Sequence, residues 1–443
     1  MPAIVKNELR VFNSDTFRYS ILNVPSYVFI SGLDPWNDEQ NPPEPKDSIQ
    51  DENRVLSDIV GIKRVLQSDV IAVLPRTNWE SGQIYDQYDH EVDLINDQNP
   101  ITGDFYRFFV VTEDFNVYKC LSNNYRAQTA NRPTGTNPEP FQTPDGYIWK
   151  YMYTIQSTDA FRFMTENWIP CYTLTANDGS NQWTSQQAAV PGTIDNIEVT
   201  SPGVLYSAAN PPTVTITGDG TGATASPVVN AVSGEVEDII VTDSGSGYTT
   251  ATVTITDSGG SGVGAEARAI VGPRLGHGSD PRVELGATYM MVKVTIDGDE
   301  GGLFQTGIEY RSAGIIQMPG SPDNDGIVIK VSETGARLFN ADDNITGGSS
   351  GATATVLFVD YIKSLIYVGS VTGSFTQGED IATTGGDPTP IETVTGGFRP
   401  LTALVYESSD VNLNTGKVLY IANREKISRV NNQKEEIIAI VSF

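Results

Sequence analysis

The stretch 143–155, TPDGYIWKYMYTI, constrains the fold more than any other in the chain. Its first four residues, Thr143, Pro144, Asp145 and Gly146, carry turn chemistry: proline presets φ and glycine accepts positive φ. Tyr147, Trp149, Tyr151 and Tyr153 then recur at period two, the spacing of one strand face. Ile148, Met152 and Ile155 fall mainly on the other face, with Lys150 and Thr154 between them. A strand with aromatic side chains on one side and apolar ones on the other is covered on both, so it calls for a large core. With 443 residues, 39% of them hydrophobic, the chain can supply one.

Taken in order, residues 1–30 alternate strand-like stretches (19–22 and 27–30) with turns. Pro35 and Trp36 open a proline-rich arm, 35–45, where proline forces extended backbone. It reads as a rigid surface segment anchored by Trp36. Over 48–68, Ser48 and Asp51 form a cap, and Val55, Ile59, Ile62 and Leu66 share one helical face, predicting an amphipathic helix. Val70–Pro75 predicts a short strand. Residues 105–112 and 117–121 predict a hairpin.

The composition changes near Pro191. One pattern then occurs twice, 42 residues apart at both ends, with a three-residue slip in the middle. The first copy holds Gly203, Tyr206, a Thr-Val-Thr-Ile-Thr run from Thr213, and Ala223. The second holds Gly245, Tyr248, the same run from Thr252, and Ala265. Alternating Thr and Val with Gly corners predicts β units, and such a period predicts that they stack. The chain therefore divides into a framework β domain over 1–190 with one helix at about 48–68, and a two-copy Gly-rich insertion over 191–272. A framework return follows over 273–335, then a second small β insertion over 336–398, and C-terminal framework strands over 399–443. The predicted class is mainly β: a β-sandwich-like framework with a few helices, carrying inserted Gly-rich β-repeat modules.

The charge narrows the partners. Lys and Arg number 28 against 55 Asp and Glu, a net charge of −27. This disfavours sequence-independent nucleic-acid binding and docking on anionic membranes. The start lacks the apolar core of a secretory signal, and no run is long enough for a membrane span, so the expectation is a protein made and used without export. Cys120 and Cys171 form no metal-binding spacing. A disulfide between them stays open, with two reduced thiols the preferred reading.

Little in the sequence reads as catalytic. His90 lies in the acidic run Asp89, His90, Glu91, where a solvated loop is preferred to a metal site. His277 lies near Ser279 and Asp280 without the elbow that would present a nucleophile. The Gly-rich stretches 218–222 and 258–262 lack the Lys-Ser/Thr of a phosphate loop and fall at the turns of the repeat. No catalytic, cofactor-binding or metal-binding residue is assigned, and no cofactor or small-molecule substrate is expected.

Six motifs together carry a resemblance: the stretch from Phe29 through Pro35 and Trp36; the proline-rich arm; the helix with the run from Val70 to Trp79; the run 117–121; the run from Asp145 through Trp149 to Tyr151; and the stretch from Gly416 through Tyr420 and Arg424 to Phe443. In this order they resemble the baseplate wedge subunit of T-even-type contractile-tailed bacteriophages, the gene product eight family. The resemblance covers the first ~170 and last ~30 residues, and the repeats look like additions to it. It implies a non-enzymatic β-rich virion protein, assembled in the host cytoplasm. It also implies a homodimer in each wedge of the tail baseplate, touching other wedge proteins and rearranging on host attachment. The candidate framework or interface anchors are Pro35, Trp36, Trp79, Tyr147, Trp149, Tyr151, Tyr420, Arg424 and Phe443. The alternative is a tail spike or adhesin that binds or degrades host-surface polysaccharide through the Gly-rich repeats.

Overall fold

The structure is a computed structural model, and it describes residues 7–32, 34–94, 96–257, 259–298, 306–317, 327–340, 343–361, 363–396, 416–430 and 433–443. It is mainly β, with several antiparallel sheets and few helices. Two compact units divide the chain. One holds residues up to 15, 71–291 and 441–443; the other holds 16–70 and 292–440.

The first unit contains a four-stranded sheet in the order Phe109–Val111, Asn116–Ser122, Ile148–Thr154, Phe141–Gln142. The expected hairpin is present, but its first strand is only Phe109–Val111, and Phe105 bridges to Gln98 instead. In Ile148–Thr154 the five inner residues are all buried, as a doubly covered strand requires. The alternation is not continuous. A register shift pairs Tyr118 with Tyr151 and Val117 with Tyr153, leaving Met152 as an extra residue in a bulge. Beyond a bulge the side-chain alternation is offset, so the expected four-residue ladder is a three-residue one. Tyr147, Trp149 and Tyr151 share a cluster with Tyr85 and Tyr118. Tyr153 donates its hydroxyl to the Pro170 carbonyl.

The repeats of this unit interlock rather than stack. Strand Thr213–Gly218 pairs antiparallel with Ala251–Thr256, and Thr215 faces Thr254, its own counterpart in the other copy. The outer strands are exchanged: Ile194–Val204 of the first copy pairs with Val263–Val271 of the second, and Val236–Asp243 of the second with Thr224–Val229 of the first. A local two-fold axis thus runs between Thr215 and Thr254. All three of these strand pairs join one copy to the other, which is why stacking loses. Tyr206 and Tyr248 close the two ends equivalently. Each is buried, and each hydroxyl accepts from a backbone amide, of Ala265 and Ala223 respectively, at 3.2 Å. The rings lie on Gly262 and Gly220, where any Cβ would strike them. The module has its own core, including Ile194, Ile197, Val236 and Ile239.

The second unit contains a four-stranded sheet in the order Ile59–Arg64, Ser26–Ser31, Glu309–Gln317, Lys417–Ser428. Here the sequence reading of 48–68 is corrected. Ser48 does cap a helix, its side chain accepting from the Asp51 amide, but the helix is Ile49–Ser57 and Ile59–Arg64 is a strand. Ile59, Val60 and Ile62 are β-branched and Gly61 penalises helix, so pairing with Ser26–Ser31 wins over continuing the turn. Val55, Ile59 and Ile62 are buried as expected, while Leu66 is 53% exposed. The reading of 19–22 as strand-like is also corrected, because it lies in a helix, Asn7–Asn23. Val11, Ser14 and Ile21 form the buried side of that helix, but exposed Phe12 and Tyr19 blur the period in the sequence. A seven-stranded sheet built from Ile327–Lys330, Asn344–Gly347, Thr353–Asp360, Leu365–Thr372, Asp380–Thr383, Thr389–Pro390 and Thr393–Gly396 surrounds a core including Ile329, Phe339, Val356 and Ile381. The C-terminal strands are Lys417–Ser428 and Lys434–Ser442. Of the stretches read from sequence, those over 29–36, 258–262, 273–335, 336–398 and 399–443 each include positions outside the described residues, among them Leu33, Ser258 and 399–415.

Candidate functional site

The turn that launches the aromatic strand is held by Asp145. Its carboxylate accepts from Thr143 Oγ1 (2.5 Å), Thr129 Oγ1 (2.8 Å) and the amides of Ala130 (2.7 Å) and Asn131 (2.9 Å). Burial pushes this carboxyl up, but the four donors outweigh it and bring the pKa down to about 2. Behind the turn, Tyr147 stacks on Trp149 with centroids 5.4 Å apart, and Tyr85 meets Trp149 edge-on at 6.1 Å. Tyr151 meets Tyr118 edge-on at 6.0 Å. Trp79 packs half-buried against the same cluster.

The other sequence candidates are placed as follows. Trp36 is buried, donates Nε1–H to the Arg424 carbonyl at 2.9 Å, and carries the Arg54 guanidinium over its ring. Two candidates 388 residues apart are thereby joined. Pro35 and the Arg424 side chain are exposed, so the arginine contributes through its backbone. Tyr420 faces Ile315 across the strand pair and is partly exposed. Phe443 accepts at its backbone oxygen from Arg10 Nη1 at 2.9 Å.

Sequence reading missed the polar centre of the first unit. Lys119 and Lys150 are direct cross-strand partners, both buried in the aromatic sheet. Like charges facing each other are destabilising unless an anion stands beside them. Glu284, on the helix Pro281–Leu285, supplies it: Lys119 Nζ is 2.8 Å from Glu284 Oε2, with both side chains essentially inaccessible. The other Glu284 oxygen accepts from the amides of Gly278 (2.8 Å) and Asp280 (3.2 Å). Lys119 also lies 3.9 Å from the Tyr88 ring centroid, and Lys150 donates to the Pro138 carbonyl. Burial lowers the pKa of both lysines, and Glu284 offsets this in each. A signal was available for Lys150, which stands between aromatic residues in a strand that reads as covered on both faces, where an amine needs a partner.

His277 completes the cluster. Its Nε2 is 3.5 Å from Asp195 Oδ2 and its Nδ1 3.8 Å from Glu284. These carboxylates favour imidazolium, but complete burial and then the Lys119 and Lys150 charges outweigh them, and its pKa falls well below the usual value. The imidazole is neutral. Ser279 donates to the Gly276 carbonyl, away from any nucleophile geometry. Asp195 accepts from Ser244 and Thr193, so the cluster ties the sheet to the base of the repeat module.

The acidic run around His90 is a clamp on that module. Arg268 reaches Asp89 twice (2.6 and 3.0 Å), Glu198 at 2.8 Å and Glu91 at 3.1 Å. Burial would raise the Asp89 carboxyl; Arg268 holds it below the usual range. Val271 donates its amide to His90 Nδ1 and accepts from the Tyr88 hydroxyl, both at 3.3 Å. Among the described residues, no group of three or more His, Cys, Asp or Glu side chains is arranged to hold a metal ion. Cys120 and Cys171 are buried free thiols.

Beside the clamp, module and sheet enclose an open groove of 690 Å³. Tyr125 spans it, its hydroxyl 2.5 Å from Asp238. The chain is similar to the baseplate wedge protein gp8 of Enterobacteria phage T4, with 23% identity over 202 residues, covering 38% of this chain and 60% of that protein. The similarity supports a distant relation to phage baseplate proteins. No family model matches the chain.

Proposed function

We propose that this chain is a structural subunit of a phage tail baseplate wedge, working through protein contacts rather than catalysis. The observation that carries this reading is the similarity to a baseplate wedge protein, which extends over 202 residues. The geometry supports it. The residues most open to catalytic use are committed to holding the fold: His277 is buried and neutral, and His90 accepts a module amide. The aromatic ladder is closed scaffold, with Tyr147, Trp149 and Tyr151 at most 1% exposed. Trp36 and Arg424 join distant motifs of the resemblance into one core.

On this reading the chain acts as a homodimer in the wedge, contacts other wedge proteins, and moves with them when the tail attaches to its host. The net charge of −27 opposes non-specific aggregation of the free subunits. Two measurements test it. Light scattering of the purified chain should give a dimer, and antibody-labelled electron microscopy of intact tails should mark the baseplate. A stable trimer that releases reducing ends from host capsular polysaccharide would instead establish the spike reading.

A further inference from the structure

The groove beside the repeat module combines exposed apolar side chains with a net acidic wall. Its lining carries three large apolar side chains left in solvent: Ile101 (68% exposed), Ile240 (54%) and Tyr125 (54%). The two-residue strand Phe141–Gln142, which ends its sheet's order, also lines it. A sheet edge accepts an added extended segment.

The charge of the groove selects among occupants. Asp86, Asp89, Asp195, Glu198 and Asp238 line it, against two guanidinium groups, Arg126 and Arg268. Arg268 is already engaged by Asp89 and Glu198. That clamp is itself an example of a guanidinium received by this wall. The module contributes no cation besides Arg268, while its sequence holds nine Asp and Glu. The carboxylates of this wall repel an acidic segment or an acidic polymer.

The turn at the lip is strained. Asn124, Tyr125 and Arg126 are three consecutive non-glycine residues at φ 48°, 55° and 63°. Such a conformation costs roughly 1–2 kcal/mol per residue. It persists because Asn123 Oδ1 accepts from the Arg126 amide and Asn124 donates to the Asp145 carbonyl. Strain held in this way collects at ligand clamps. Here it fixes Tyr125 across the groove, where its hydroxyl occupies one oxygen of Asp238.

We propose that this groove receives an extended segment of another protein that alternates Lys or Arg with apolar side chains. The basic groups meet the carboxylates, the apolar ones cover Ile101 and Ile240, and an incoming cation displaces the Tyr125 hydroxyl from Asp238. This inference does not depend on the baseplate reading, since it concerns the chemistry of one surface.

The test is fluorescence anisotropy of a labelled ten-residue peptide alternating Lys and Leu, titrated with the full chain at low salt. Binding in about the micromolar range is expected, weakening as salt is raised. The double variant Ile101→Lys/Ile240→Lys should weaken it by at least about tenfold. The charge-matched control Leu205→Lys/Val232→Lys, on exposed module residues away from the groove, should stay within about twofold. Thermal melts of both variants check that they fold. The proposal is overturned if the peptide does not bind the wild-type chain, or if both variants weaken binding equally. It is also overturned if a Glu–Leu peptide binds as well, or if neutral maltohexaose displaces the basic peptide.

Discussion

Lys119→Met and Glu284→Gln, made singly and together, probe the polar centre. The pair is 2.8 Å apart and inaccessible, so removing one partner leaves the other as a buried, uncompensated charge. Such losses run to roughly 3–5 kcal/mol. Lys119→Met should fall at the low end, about 3 kcal/mol, because the Gly278 and Asp280 amides still hold Glu284. Glu284→Gln strands the ammonium, but the lysine has an escape. Giving up its proton at pH 7 against an ordinary pKa of 10.5 costs about 5 kcal/mol, which sets a ceiling. A loss of about 4 kcal/mol is expected. The double variant removes both charges and should cost no more than the worse single one, leaving a coupling of about 3 kcal/mol. Urea unfolding followed by near-ultraviolet circular dichroism reads the adjacent aromatic ladder directly. In thermal melts the single variants should fall by roughly 6–12 °C. Additive losses, or single losses under about 1 kcal/mol, would refute the idea that the two charges depend on each other.

His277 binds a proton in the unfolded chain below its ordinary pKa of 6.5 but not in the fold. Its contribution is therefore fully present above that pH and lost as pH falls, by up to about 1.4 kcal/mol per pH unit. Urea midpoints should drop from about pH 7 to 5, and His277→Gln should flatten that slope; an unchanged slope would show that the imidazole is not buried neutral. Trp36→Phe should cost about 1 kcal/mol for the lost bond to Arg424, and Trp36→Ala roughly 3–5 kcal/mol, both read from denaturant midpoints. Equal losses would make the bond to Arg424 irrelevant. The module's ends meet, with Gly192 N donating to Pro273 O at 3.1 Å and Gly272 N to Thr193 O at 2.7 Å. Replacing 191–272 with a short Gly-Ser link should leave a cooperative calorimetric transition at lower temperature; its loss would place the module in the folding core.

How much could be read in advance differs from element to element. The turn at Asp145 and the cap at Ser48 were legible because both are written in neighbouring residues. The class was legible too, since Thr-Val alternation admits few alternatives. The region 59–64 was not, because Val55, Ile59 and Ile62 satisfy a helical face and a buried strand alike. Only the Ser26–Ser31 partner strand decides between them. In the candidate site, the aromatic ladder was visible, while the clamp on Arg268 and the groove beside it were not. Their carboxylates come from both the loop around His90 and the module.

By itself the sequence determined the kind of structure: strands with doubly covered faces, a twice-written Gly-rich β unit, and a strongly acidic surface. Only the tertiary structure decided that the two repeats exchange outer strands about Thr215 and Thr254, that Met152 bulges and sends Tyr153 away from the ladder, and that Lys119 finds Glu284. The physical reason is one of range. Periodicity and capping depend on residues a turn or a strand step apart. Register, bulges and the neutralisation of a buried charge depend on groups far apart in sequence, 165 residues for Lys119 and Glu284, which meet only once the chain is folded.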